Sequence, residues 1–309
     1  MQAVMYHYVR PDTGLPPYEY YYLDLEDFRR QLNHLEGMYE LIDRATFFSY
    51  LRGEEKPSGA EAILTFDDGL IDHYEWVFPE LQRRDLWGLF FVPGPIGETL
   101  LPVHRIHSML GSADPEKLAD ALSDVIHELD IPKERRDEFR RAYAQYDSKE
   151  STRWFKRTLN YLVPYDQLPE IFDKLEDHVS GVDRINPSEY YMTRSQLREL
   201  ADAGMLLGGH TVTHPVLSRL STGSQREEIL RSLEFVQDIA APPVRTFAYP
   251  YGGTEVFSET TIELLDDADC DAAFTTEPGD ISPDDLQTNP LTLRRRDCNE
   301  FKHGSASIT

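Results

Sequence analysis

Cysteine is nearly absent from this 309-residue chain: it holds two, Cys270 and Cys298, neither in a Cys-x-x-Cys pair. That excludes a disulfide framework and a cysteine-type structural zinc. Long apolar runs are missing too, with nothing near the ~18–20 residues that a spanning helix needs. Met1 leads at once into a strand-like run, with no basic n-region and no apolar h-region, so a cytoplasmic location is expected. Positive charge is scarce: 31 Lys+Arg stand against 55 Asp+Glu, a formal net charge of −24. A surface of that sign argues against non-specific nucleic-acid binding and against docking on anionic lipid. The basic residues are mostly Arg, a balance that suits a salt-adapted protein or an ordinary acidic cytosolic one.

What is present is apolar material for a sizeable core. Hydrophobic residues make up 40% and aromatics 11%, and the acid is spread among them rather than gathered in a tail, which excludes a disordered acidic chain. Short apolar runs at Ala3–Tyr6, Ala62–Phe66, Trp87–Val92, Met205–Leu207, Thr246–Tyr249, Ala272–Thr275 and Leu291–Arg294 read as strands. Helical spacing appears at Leu23–Met38, Asp72–Arg84, Arg194–Ala203, Ser224–Ala240 and Ser258–Asp267. This alternation predicts an α/β fold with a mainly parallel sheet, open or closed. The rhythm breaks over 101–183, where Pro115–Leu129, Lys133–Tyr146, Thr152–Leu162 and Gln167–Val179 read as helices. We take 1–309 as a single domain and 101–183 as a helical insertion within it, serving as a lid, an oligomer interface or a substrate-selecting cap.

Two motifs carry chemistry. Thr65-Phe66-Asp67-Asp68-Gly69 places two carboxylates just past an apolar strand, before a glycine that permits a sharp turn. In parallel α/β folds, sites are built at the C-terminal ends of strands. Gly208-Gly209-His210-Thr211-Val212-Thr213-His214 follows another strand. Its two histidines, four apart, are expected on one face of a helical turn, and its glycines are expected to let the backbone approach a ligand. Together these give a metal triad of one Asp and two His with one Asp left over. Three protein ligands leave positions open for water and substrate. Mixed oxygen and nitrogen ligation suits zinc, and also cobalt, nickel, manganese or iron. Such a metal lowers the pKa of water and polarises a carbonyl, and the spare carboxylate can take a proton.

The chain resembles the polysaccharide deacetylases (NodB homology domain, carbohydrate esterase family 4). Thr65–Gly69 matches the family's first motif, His210–His214 its H-[ST]-x-x-H motif, and Arg245-Thr-Phe-Ala-Tyr-Pro-Tyr-Gly252 its third; Val4-Met5-Tyr6-His7 resembles an early YH. The resemblance implies a distorted (β/α)7 barrel and removal of N- or O-acetyl groups from sugars. Carried over by position, Asp67 is the general base and Asp68, His210 and His214 hold the metal. Tyr249 and Pro250 line the groove, and the backbone N–H of Tyr251 helps to hold an oxyanion. Ala248 stands where one form of the third motif has Arg, so Arg295 is the candidate to orient Asp67. The usual general-acid His near the end is not evident; His7 and His303 are the candidates. His104 and His107, at the start of the insertion, either contact substrate or pack a helix end.

The reading is a metal-dependent deacetylase acting on an acetylated sugar or glycan intermediate in intracellular surface-polysaccharide or glycoconjugate biosynthesis. The alternatives are a catalytically silent glycan-binding barrel and an amidase for a non-sugar C–N bond. No nucleic-acid partner and no membrane span are expected, and the insertion is a candidate homo-oligomer contact. Arg294–Arg296, together with the metal, are the expected source of a local positive field in the groove.

Overall fold

A computed structural model describes residues 1–12, 20–97, 99–127, 150–179 and 186–306. They fall into two compact units, one within Met1–Thr13, Tyr21–Thr99 and Pro187–Ser307, the other within Gly14–Tyr20 and Leu100–Asn186. The first unit contains the strands β1 (Gln2–Tyr6), β2 (Val9–Arg10), β3 (Leu23–Asp24), β4 (Glu40–Leu41), β5 (Glu61–Phe66), β6 (Leu89–Val92), β7 (Leu206–Gly209), β8 (Thr246–Ala248), β9 (Ala272–Phe274) and β10 (Arg296–Asp297). Eight of them form one parallel sheet in the order β10-β1-β5-β6-β7-β8-β9, with β4 paired to the start of β5. β2 and β3 pair separately.

The segment leading into β10 draws the two ends of this sheet together. Leu293 bridges Phe274 of β9 in parallel, and three residues later Arg296 pairs with Val4 of β1. The result is a distorted (β/α)7 barrel, as the resemblance implies. Leu291–Arg294 was expected as the last strand. Pro290–Thr292 instead forms a 3-10 turn, and the strand is displaced to Arg296–Asp297. Proline at 290 brings no N–H to a ladder, which favours the turn.

Alternation along the strands sorts side chains to two faces. Ala3, Ile63, Leu89, Phe91, Leu206 and Phe274 pack together inside the barrel. Their neighbours Val4, Tyr6, Leu64, Phe66, Phe90, Val92 and Leu207 pack outward against Phe28, Leu32, Leu81, Leu197 and Leu200 of the surrounding helices. The central strands β1, β5, β6 and β7 are short, buried along their whole length and mostly apolar, as parallel strands covered by helices are. The helix expected over Asp72–Arg84 opens as a π-turn, His73–Val77, before the α-helix Phe78–Arg83. Pro79 has no N–H to donate, and the wider turn accommodates it.

The second unit is helical: Pro102–Ser112, Pro115–His127, Glu150–Arg157 and Leu168–His178. It has an apolar core of its own, with Ile106, Met109, Leu122, Phe155, Ile171, Phe172 and Leu175. Arg105 pairs with the largely buried Glu176 at 2.5 Å. The expected helix Lys133–Tyr146 lies outside the described residues. Pro102–Ser112 is a helix that the periodicity did not flag.

Candidate metal centre and its surroundings

Strand alternation decides where the first motif points. Thr65 and Asp67 continue the face of Ile63, the barrel interior. Asp67 and Asp68 are both 2% exposed. The chain turns sharply at once, with Asp68 at φ 78° and Gly69 at φ 62°. A left-handed conformation is natural for Gly69 but costs a non-glycine residue roughly 1–2 kcal/mol. That turn lets neighbouring aspartates serve one site although successive strand residues face opposite ways.

Asp68, His210 and His214 form a buried cluster whose three ligand atoms lie within 4.8 Å of one another. Asp68 Oδ1 is 3.4 Å from Nε2 of each histidine. Nδ1 of His210 faces the Ala248 carbonyl at 2.7 Å. It must therefore carry a proton and donate, which leaves Nε2 to look toward Asp68. Fixing one ring nitrogen on a carbonyl so that the other presents its lone pair is how ligating histidines are held. Two imidazole nitrogens and a carboxylate oxygen facing one another need a cation or a proton between them. Burial pushes the His210 imidazolium down, but the Asp68 hydrogen bond and the Asp67 and Asp68 charges prevail and raise it above its ordinary value. The donor set fits a small divalent ion with open positions.

The loop that carries the histidines differs from expectation. Residues 210–214 form no helical turn, because Thr211 (φ 61°) and His214 (φ 55°) are left-handed. Thr211 Oγ1 accepts from the His214 N–H at 3.1 Å and closes the loop on itself. The two rings still meet, with centroids 4.9 Å apart. The preceding glycines serve packing rather than ligand approach. A Cβ on Gly208 would lie 2.5 Å from Thr246 Oγ1, and one on Gly209 would lie 2.8 Å from Ser232 Oγ.

Arg295 is fully buried and grips Asp67 with both arms of its fork, Nη1–Oδ1 at 2.7 Å and Nη2–Oδ2 at 2.8 Å. Its Nε donates to the Thr275 carbonyl at 2.9 Å, and its plane lies over Phe91. Burial pushes the Asp67 carboxyl up, but the Arg295 charge and hydrogen bonds outweigh it and hold the group below its usual range. Arg296 is spent on Asp280 and Glu300. Two of the three arginines expected to supply a positive field thus answer carboxylates of the chain itself.

His7 follows β1, and its Nε2 is 4.0 Å from Asp67 Oδ2; its side chain is 39% exposed. The buried His73 donates from Nε2 to the His7 carbonyl at 2.8 Å. His303 lies instead in a turn whose neighbour Lys302 is tied to Gln31 on the helix Leu25–Met38. The Tyr251 ring meets His214 edge to face at 4.8 Å, and Tyr251 is left-handed at φ 62°. Tyr249, expected along the groove, packs in an apolar cluster with Phe247, Leu264 and Leu265. It is 1% exposed, its hydroxyl donates to the Leu291 carbonyl, and its ring stacks on Phe257. Pro250 is buried beside it. His104 and His107 sit on the helix Pro102–Ser112 of the second unit, where His104 is buried and His107 stacks on Tyr20 at 4.3 Å. Sequence reading missed Thr65, Thr275, Glu228 and Ser232. Thr65 alone had a signal, its position two residues before Asp67.

Fold and site together define a parallel barrel with a buried Asp-His-His cluster and an arginine-held aspartate at the C-terminal ends of its strands. The family model "Polysaccharide deacetylase" matches residues 171–273. That stretch contains His210, His214 and Tyr249–Tyr251, and it begins inside the segment read as the insertion. A curated Bacillus subtilis (strain 168) protein, "Putative polysaccharide deacetylase YxkH", is 26% identical over 96 residues, 31% of this chain and 33% of that protein. The chain thus matches about a third of that relative's length. Among solved structures, Streptococcus pyogenes deacetylase PplD in complex with acetate superposes with a TM-score of 0.56 at 18% identity, covering 96% of this chain and 91% of that one. IcaB from Ammonifex degensii gives 0.57 at 19%, covering 96% and 90%. At such identities these two speak for the fold. The resemblance to the polysaccharide deacetylases is borne out.

Proposed function

We propose that the chain is a metal-dependent hydrolase that removes an N- or O-acetyl group from a sugar or glycan intermediate. The observation that carries this reading is the pairing of a buried Asp68-His210-His214 cluster with a separate, arginine-clamped Asp67 beside it. A glycan-binding barrel has no use for a base and a ligand triad together. Asp68, His210 and His214 would hold a divalent ion, zinc first, with cobalt, nickel, manganese or iron as alternatives. Such an ion, when bound, lowers the pKa of water and polarises an acyl carbonyl.

The chain's own residues divide the remaining work. Asp67, kept ionised by Arg295, accepts the proton of the attacking water. The bidentate pair fixes both carboxylate oxygens in one orientation, so the base does not have to be reoriented during reaction. The Tyr251 N–H donates to the oxyanion of the tetrahedral state, a contribution of about 3–4 kcal/mol for one well-placed donor. His7 stands next to Asp67 and is the proposed acid that protonates the leaving nitrogen or oxygen.

Acetate release from N-acetylglucosamine oligomers, with and without added Zn²⁺ or Co²⁺, tests the reading. Metal-stimulated acetate release supports it. Binding without release would favour the silent barrel, and release only from non-sugar amides would favour the amidase. The cytoplasmic biosynthetic setting is a further part of the proposal, which cell fractionation tests. So is the organisation of 1–309 as one domain with 101–183 inserted as a cap or an oligomer contact, which gel filtration of the intact chain tests for the oligomer.

A further inference from the structure

The loop that carries His210 and His214 is held by one helix, Thr222–Ala240, through two side chains a turn apart. Ser232 Oγ accepts from the His210 N–H at 2.9 Å. Glu228 Oε2 accepts from the Val212 N–H at 2.6 Å and the Thr213 N–H at 2.9 Å, and Oε1 accepts from the Thr213 hydroxyl at 2.7 Å. Residues four apart on a helix share a face, so this pair grips the loop at its first ligand and again just before its second. We propose that Glu228 is a positioning residue that sets the metal affinity of the site, an inference that rests on the metal-site reading above.

The argument is conformational. Thr211 and His214 are left-handed, a basin that L-residues leave readily when nothing holds them. The N–H groups of Val212 and Thr213 converge on one carboxylate, as successive amides in a turn converge on an anion. Remove that carboxylate and three donors, the two N–H groups and the Thr213 hydroxyl, lose their partner, and the loop has other basins open to it. His214 stands one residue beyond the grip, so its approach to Asp68 and His210 depends on the loop's shape. Glu228 touches neither the cluster nor Asp67 in the structure, so it acts through the loop alone.

Titration of the metal-free full chain with Zn²⁺ and with Co²⁺, by calorimetry and by Co²⁺ absorption, tests this without any turnover assay. Loss of an interaction that orients a ligand typically lowers metal affinity about 10–100-fold. Glu228→Ala is expected in that range, with an altered Co²⁺ band. Glu228→Gln keeps an acceptor for both N–H groups and an NH₂ for the Thr213 hydroxyl, so it should stay within about threefold of wild type. If the alanine variant does not fold, Glu228→Asp replaces it; one methylene shorter, it cannot span both contacts and should also bind more weakly. Wild-type affinity and spectrum in Glu228→Ala, or in Glu228→Asp where that is the variant used, would overturn the proposal while leaving the metal site standing. Absence of metal binding by the wild type would instead remove the metal-site reading and this inference with it.

Discussion

Replacing Arg295 with alanine removes the partner of a carboxylate that is 2% exposed. Two charge-assisted hydrogen bonds, at about 1.5–3 kcal/mol each, are lost. Breaking a buried pair from one side costs about 3–5 kcal/mol by direct comparison, so the two routes agree on a loss of roughly 3–5 kcal/mol at neutral pH. The sign with pH follows from the depressed Asp67 carboxyl. A folded pKa below the unfolded value of about 3.9 contributes stability that is present above it and lost as pH falls through the folded value. In Arg295→Ala, burial is opposed only by the more weakly acting His210 and His7, so the carboxyl rises and the folded state holds a proton at a higher pH than in the wild type. The gap between wild type and variant should therefore be widest near pH 7 and shrink toward pH 3, where a neutral Asp67 needs no cation. Urea unfolding at several pH values, followed by midpoint and slope, measures that gap. A loss under 1 kcal/mol at pH 7, or one independent of pH, would refute the reasoning.

Other perturbations follow from the same geometry. Chelation should abolish acetate release, and Zn²⁺ or Co²⁺ should restore it, as followed by an acetate assay. His7→Gln should lower kcat by about 10²–10⁴ with metal content unchanged; equal turnover would remove His7 from the acid role. Glu80, buried among Arg29, Arg83 and Arg84, is pushed up by burial but held down by those hydrogen bonds, to about 2. Its contribution is present above the unfolded value of about 4.3 and lost as pH falls through about 2. Glu80→Gln should cost about 1–2 kcal/mol at pH 7, a cost that shrinks steadily as pH falls toward 2, as read by denaturant melts. Ser232→Ala leaves the His210 N–H without its acceptor and should weaken Zn²⁺ binding, as read by calorimetry.

The strands were legible where apolar runs were bounded by turn residues, as at Ala62–Phe66 before Asp67-Asp68-Gly69. The His210/His214 spacing pointed to one cation although the loop is not helical. What brings the rings together is two left-handed residues, and no periodicity encodes those. The third-motif resemblance sets Tyr249 along the groove; its hydroxyl instead donates to the Leu291 carbonyl and its ring packs in the apolar core. Arg295 was reachable by position at the sheet's end, yet the strand expected over Leu291–Arg294 lies instead at Arg296–Asp297, just after it. Glu228 and Ser232 left no local trace, since their partners lie 15–22 residues away across a helix–loop contact. The helix Pro102–Ser112 had one cue, a proline at its first position.

The central claim is that Asp67 is the base and that Asp68, His210 and His214 hold the ion. Parallel measurement of bound metal and acetate release in wild type and Asp67→Asn tests it most directly. The account predicts equal metal content, about one ion per chain, with turnover lost by at least ~10²-fold in the variant. Undiminished acetate release by Asp67→Asn at full metal occupancy would contradict it.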